Sequence, residues 1–230
     1  MCRRRFTVLS LPEWIASRRH AEMFARQSTG LLLTLCGDYA AAALVQPLAL
    51  EQARQLGARR YEAIILAHQA EATLALNGRD EARALAEQAV ALSRDTGAGF
   101  CGPLALSVLA RATDDPSTRA AALREGAAIL AGGCVSHNHF WFHRNAIELA
   151  LQGRDWDEID RHADALAAYT QAERLPFSDL LAARGHVLAA FGRGASGPDL
   201  AATLSRLRDE ALAAGIKMAL PALDAALSVA

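Results

Sequence analysis

Asp80-Glu81-Ala82-Arg83-Ala84-Leu85-Ala86-Glu87-Gln88-Ala89-Val90-Ala91-Leu92-Ser93-Arg94 decides the fold class. Its apolar positions Ala82, Leu85, Ala86, Ala89, Val90 and Leu92 fall close to an i, i+3, i+4, i+7 pattern, which puts them on one face of a helix. The same spacing returns at Ala120, Leu123, Ala127 and Leu130, at Ile159, Ala163 and Leu166, and at Leu200, Leu204, Leu207 and Ala211. Strand-like alternation is confined to a short stretch from Phe6 to Leu11. Alanine and leucine dominate, both strong helix formers, and alanine also lets neighbouring helices approach closely.

Turn residues cut this periodicity at regular intervals. One set is Gly37-Asp38, Gly78-Arg79-Asp80, Asp114-Asp115-Pro116, Gly153-Arg154-Asp155 and Gly192-Arg193-Gly194; a second is Gly57, Gly97, Gly132-Gly133, Pro176 and Gly215. The two sets interleave, each advancing by about 40 residues, close to the period of helical-hairpin repeats. Glycine suits the left-handed residue after a helix. Asp115-Pro116 reads as an N-cap followed by proline at the first helical position, and Asp155 with Glu158 has capping-box spacing. The expected fold is all-α: a right-handed solenoid of antiparallel, tetratricopeptide-like helix pairs, with about 10–11 helices in one domain over 1–230. The hairpins are expected at 13–36 with 39–56, 58–77 with 80–95, 100–112 with 116–131, 138–152 with 155–173 and 177–191 with 197–214. A capping helix over 217–229 follows, and 1–12 is expected to be disordered. A single pair cannot bury its own apolar stripe, so neighbours must stack.

Composition narrows the function classes. The chain has 230 residues, is 52% hydrophobic, and carries 24 basic against 25 acidic residues. That near-balance gives no basic excess for nucleic acid, so none is expected as a partner. Lys217 is the only lysine, an arginine bias that suggests a GC-rich bacterial genome. Cys2, Cys36, Cys101 and Cys134 are far apart and form no CxxC pair, which points to reduced thiols and a cytoplasmic location. No apolar run reaches the roughly 20 residues that cross a bilayer, and the Arg3 to Arg5 start is followed by a stretch broken by Pro12, Glu13 and Arg18. No membrane association is expected.

Longer strings carry a resemblance. Leu56-Gly57-Ala58-Arg59-Arg60, Thr96-Gly97 with Phe100-Cys101-Gly102-Pro103, Gly133-Cys134-Val135-Ser136-His137-Asn138-His139-Phe140-Trp141-Phe142, Gly153-Arg154-Asp155-Trp156 and Tyr169-Thr170 stand in order along the chain. Over roughly 37–215 this resembles the C-terminal tetratricopeptide-like repeat region of bacterial signalling proteins. In those proteins a class III adenylate/guanylate cyclase domain and an AAA-type ATPase precede the repeats. The resemblance implies a scaffold for a protein partner, or a regulator of attached cyclase or ATPase domains. The chain has no GxxxxGK phosphate loop, since Lys217 stands between Ile216 and Met218, and no cyclase-like strand with a metal-binding aspartate. It reads as the repeat module alone, either a separate protein or part of a longer reading frame.

The segment His137-Asn138-His139-Phe140-Trp141-Phe142-His143-Arg144-Asn145 is the richest in chemistry. His139 and His143, four apart, would share a helix face, and with Cys134 and His137 they are the metal-ligand candidates. HExxH chemistry is excluded because Phe140 follows His139. The plainer reading, which we prefer, is a helix start capped by Ser136 or Asn138, with Phe140, Trp141 and Phe142 packed between repeats. Gly192-Arg193-Gly194-Ala195-Ser196-Gly197 satisfies GxGxxG, but a helix precedes it where a dinucleotide fold needs a strand, so it reads as an interhelix loop. The carboxylates at Asp155-Trp156-Asp157-Glu158 and Asp114-Asp115 sit at helix starts and read as caps. Trp141, Trp156, Tyr169 and Phe177 are candidate partner-binding anchors on a concave face, with core packing as the alternative. No nucleophile–base pair or complete metal signature appears, so neither catalysis nor a cofactor is expected. A binding module is the first expectation; a small-molecule or metal sensor near His137, His139 and Trp141 is the second. An open groove with apolar anchors would favour the first, a concave face uniformly charged and without aromatics would count against it, and a deep pocket joining several titratable groups is what an enzyme would show.

Overall fold

The computed structural model describes residues 11–229. Cys2, Arg3 to Arg5 and most of the Phe6 to Leu11 stretch lie outside the described residues; Leu11 and Pro12, expected beyond the array, open its first helix.

Among the described residues there are eleven α-helices, one 3-10 turn and no strand. They are α1 (Leu11–Leu35), α2 (Tyr39–Gln55), α3 (Arg59–Ala75), α4 (Arg79–Thr96), α5 (Gly102–Ala112), α6 (Pro116–Gly132), α7 (His137–Gly153), α8 (Trp156–Tyr169), α9 (Pro176–Gly192), α10 (Pro198–Ala213), a 3-10 turn (Lys217–Ala219) and α11 (Leu220–Leu227). No described helix is long and apolar enough to cross a membrane.

Each helix packs on the next in chain order, so the hairpins lie side by side. The odd-numbered helices also pack on one another, α1 on α3, α3 on α5, α5 on α7, α7 on α9 and α9 on α11. This gives two layers, and the sequence explains the sorting. The inner helices α3 and α5 are apolar or small on most sides: Ala63 to Ala67 in α3 and Leu104 to Ala110 in α5 are buried without a break. The even helices bury one stripe, such as Ala82, Ala86, Ala89 and Val90 of α4 or Ile159, Ala163 and Leu166 of α8. A helix that is apolar all round must be covered on all sides, whereas an amphipathic one can face water.

Helix ends follow the turn residues, with small corrections. Gly37, Gly57, Gly97, Gly133 and Gly215 take positive φ, but after α3 and α7 that role falls on Asn77 (φ 67°) and Arg154 (φ 55°), each one residue from the glycine in sequence. Asp115 accepts from the amides of Ser117 and Thr118, and Asp155 from that of Glu158. The Asp155 amide turns back to the Ala150 carbonyl, so the second arm of the expected capping box is replaced by the end of α7. Ser136 stands at the N-cap of α7 as expected but makes no side-chain cap hydrogen bond, and Asn138 lies within the helix. Asn138 instead staples two repeats: its Nδ2 donates to the carbonyls of Gly99, Phe100 and Val135, and its Oδ1 accepts from Leu104 N.

Close approach needs glycine at two places. A Cβ on Gly126 of α6 would collide with the buried Phe142 ring, and one on Gly192 would lie 2.5 Å from Trp156 Cη2. The array also closes on itself. The 3-10 turn packs on α1, and a Cβ on Gly37 would come 3.4 Å from the Lys217 Cβ. The 3-10 turn before α11 therefore meets the C-terminal end of α1.

Candidate functional site

Closure turns the inner surface of the odd helices into a chamber, and each of four inner helices sends charge into it. Glu71 comes from α3, Arg111 from α5, Arg144 and Glu148 from α7, and Arg184 from α9. The cavity measures about 360 Å³ and is completed by Thr34, Tyr39, Ala75, Leu151, Gln152, Met218, Pro221 and Ala222. Its walls thus come from both ends of the chain and the middle.

The polar network is deeply buried. Arg144 pairs with Glu71 and donates through Nη2 to Asn145 Oδ1 at 2.9 Å. Arg111 Nη1 donates to the same Oδ1 at 2.8 Å and stands 3.5 Å from Glu71 Oε1. Asn145 Nδ2 donates to Ser107 Oγ at 3.0 Å. The Arg144 guanidinium also lies 5.0 Å from the centre of the Trp141 ring, a cation–π contact. Arg184 donates to Glu148 Oε1 at 2.6 Å and to the Ala219 carbonyl at 2.9 Å, tying α7, α9 and the 3-10 turn together.

Three guanidinium groups meet two carboxylates, so one positive charge is left over. Arg144 and Arg184 are 1% and 2% exposed and engaged on several sides; Arg111, 17% exposed, shares its nearest carboxylate with Arg144. The Nε atoms of Arg111 and Arg144 are buried without a hydrogen-bond partner. Burial lowers the pKa of Arg111 and takes that of Arg144 down to about 10. Both remain charged near neutrality. Burial acts to raise the Glu148 pKa, but Arg184 and Arg111 outweigh it and hold the carboxyl below its usual range. Burial pushes the Tyr39 phenol up, keeping it a neutral donor. Burial likewise takes His68, beside Glu71, down to about 3; it is neutral, with Nδ1 3.7 Å from Glu71 Oε2.

The candidates read from sequence lie outside the chamber lining and meet in separate ring pairs, not in one site. His137 sets its ring edge against Phe100, and His139 stacks flat on Tyr169 at 3.7 Å. His143 Nδ1 lies 2.9 Å from His162 Nδ1, a spacing that requires one ring to donate and the other to accept. Burial first, then the adjacent His162 ring, takes the pKa of His143 to about 3; burial, then Arg161, takes that of His162 to about 4, so both rings are neutral near pH 7. Cys134 is half-buried, its thiol pKa raised by burial. Among the described residues no three His, Cys, Asp or Glu side chains are grouped as a metal site. Trp141 is buried and packs edge-on to His68 and Phe177. Trp156 covers Gly192 near the other end of α7. Of the four aromatic anchors only Tyr169, 41% exposed, presents a large free surface.

Of the His137 to Asn145 string, Arg144 and Asn145 rather than the histidines reach the chamber network. Glu71, Arg111, Glu148 and Arg184 went unnoticed. For Arg111 and Arg184 the signal is a charge inside an apolar run, as in Leu180-Leu181-Ala182-Ala183-Arg184-Gly185; Glu71 and Glu148 lie in helices with other charges and give no such signal. Comparison of the chain with protein-family models, with curated proteins and with solved structures gives no match.

Proposed function

We propose that this chain is a non-catalytic helical-repeat binding module, a right-handed tetratricopeptide-like array that holds its ligand inside the closed ring and uses the closure to regulate a protein partner or an attached domain. The observation that carries the proposal is the chamber itself. Its walls include Thr34 and Tyr39 near the start, Arg111 and Arg144 in the middle, and Met218 to Ala222 near the end. A ligand touching all three parts would stabilise the contact between the first and last elements, and any domain joined to either would sense it. The buried charge also favours a small ligand over a peptide laid in an open groove, because Trp141 and Phe177 pack against each other within the protein.

The resemblance to repeat regions of cyclase and AAA-type ATPase signalling proteins gives this regulation a setting, a bacterial cytoplasmic signalling system. The chamber replaces the His137, His139 and Trp141 neighbourhood as the proposed ligand site, because those side chains are committed to ring stacking and core packing.

The test is a thermal-shift screen of small metabolites against the intact chain and against Ala75→Trp, which places an indole on the chamber wall at an exposed position. Compounds that stabilise the native chain and lose their effect in the variant support an internal site. Equal responses in the two proteins, or capture of a partner unaffected by either, would refute it.

A further inference from the structure

We infer that the chamber takes a monoanionic carboxylate with a short apolar body, its head group forked by Arg111 and its body lying against the 3-10 turn and α11. This rests on the chamber being the ligand site and adds the chemical class.

Charge comes first. Three arginines and two glutamates leave a single uncompensated cation, so one negative charge brings the chamber to neutrality. A phosphate monoester, carrying about −1.5 to −2 near pH 7, would overshoot and face two carboxylates. Hydrogen bonding says where the head group goes. Arg184 is occupied by Glu148 and Ala219 O. Arg144 is occupied by Glu71, by Asn145 and by Met218 Sδ at 3.3 Å. Arg111 has one good hydrogen bond, to Asn145, and a long shared approach to Glu71. Its planar fork matches a carboxylate, and the buried setting strengthens such a bond. Tyr39 adds a neutral hydroxyl donor to the same wall, whereas the Thr34 hydroxyl proton is spent on the Gly30 carbonyl.

Shape supplies the rest. Ala75, Leu151, Met218, Pro221 and Ala222 give the chamber an apolar side. At about 360 Å³ it is small among ligand sites, which run to about 300–1,000 Å³. That suits a short chain or a single ring, not a nucleotide.

The experiment is calorimetric titration of the full chain with hexanoate at fixed ionic strength. Acetate supplies the head group alone, 1-hexanol the body alone, and inorganic phosphate the competing anion. The expected result is saturable hexanoate binding, tighter than acetate or 1-hexanol by at least about tenfold. Arg111→Gln should weaken hexanoate by a similar factor and leave 1-hexanol unchanged, with helicity by circular dichroism confirming the fold. Should that variant fail to fold, Tyr39→Phe and Arg111→Lys take its place, each expected to weaken hexanoate selectively. Equal binding of hexanoate and 1-hexanol overturns the carboxylate assignment. Preference for phosphate, abolished by Ala75→Trp, overturns the class and leaves the internal site standing. Absence of binding by all four probes overturns this inference; metabolite hits that respond to Ala75→Trp would still uphold the internal site, and none would remove it too.

Discussion

Glu71→Leu is the sharpest perturbation of the buried network. Glu71 is 4% exposed and is the carboxylate that answers Arg144, itself 1% exposed, while also facing Arg111. Removing it raises the uncompensated charge in the chamber from one to two and leaves a guanidinium in the core with Asn145 as its main acceptor. Removing one partner of a buried pair costs about 3–5 kcal/mol, whereas replacing both by apolar groups of similar volume is often close to neutral. The double variant Glu71→Leu, Arg144→Met should therefore recover most of the loss, ending within about 1–2 kcal/mol of the parent because the Asn145 hydrogen bond is also gone. Urea unfolding of the parent, both single variants and the double variant gives the coupling energy directly. A Glu71→Leu cost below about 1 kcal/mol, or a double variant as damaged as the sum of the singles, would refute a tightly coupled buried pair.

Further outcomes follow from the same geometry. Arg184→Met should free the 3-10 turn from α9, raising hydrogen exchange at amides 216–219 by at least about tenfold, the factor of one lost charge-assisted bond; unchanged protection would refute that anchor. His68, His143 and His162 have folded-state pKa values pushed down to about 3, 3 and 4 from 6.5. The unfolded chain then binds more protons below 6.5, so stability is full above that pH and falls as pH drops towards 4. The urea midpoint should fall between pH 7.5 and pH 5, and His68→Phe should reduce the drop; a flat profile would contradict buried neutral imidazoles. In the native protein iodoacetamide should label exposed Cys36 quickly and spare Cys101, which is buried with its pKa pushed up to about 12. Equal labelling of the two would mean the α5 start opens readily.

The helices were legible because their signals are local. Periodicity in α4 and α8 and caps such as Asp115 need only a few adjacent residues, and the element boundaries fall within a few residues of expectation. The chamber was hidden because its members lie about a repeat apart, and convergence depends on how neighbouring hairpins stack. His139 and His143 show the limit of local spacing: four apart on one helix says nothing of Tyr169 and His162, which arrive from α8 against those rings. The distinction between inner and outer helices was present in sequence all along, in the contrast between the unbroken apolar run of α5 and the single stripe of α4. It acquires meaning only once the layers are known.

The meeting of Lys217 with Gly37 has a consequence for how such a chain can vary. An open array grows by duplicating a hairpin anywhere along its length, since each unit touches its neighbours alone. A ring cannot. One pair inserted before α9 would carry the final turn away from α1 and scatter the arginines, even though the Arg184–Ala219 bond, made within the last three helices, would travel with it. The number of hairpins is thereby fixed by geometry, and variation should be tolerated in the outward-facing loops instead, such as Gly194 to Gly197, where added length leaves the circumference unchanged.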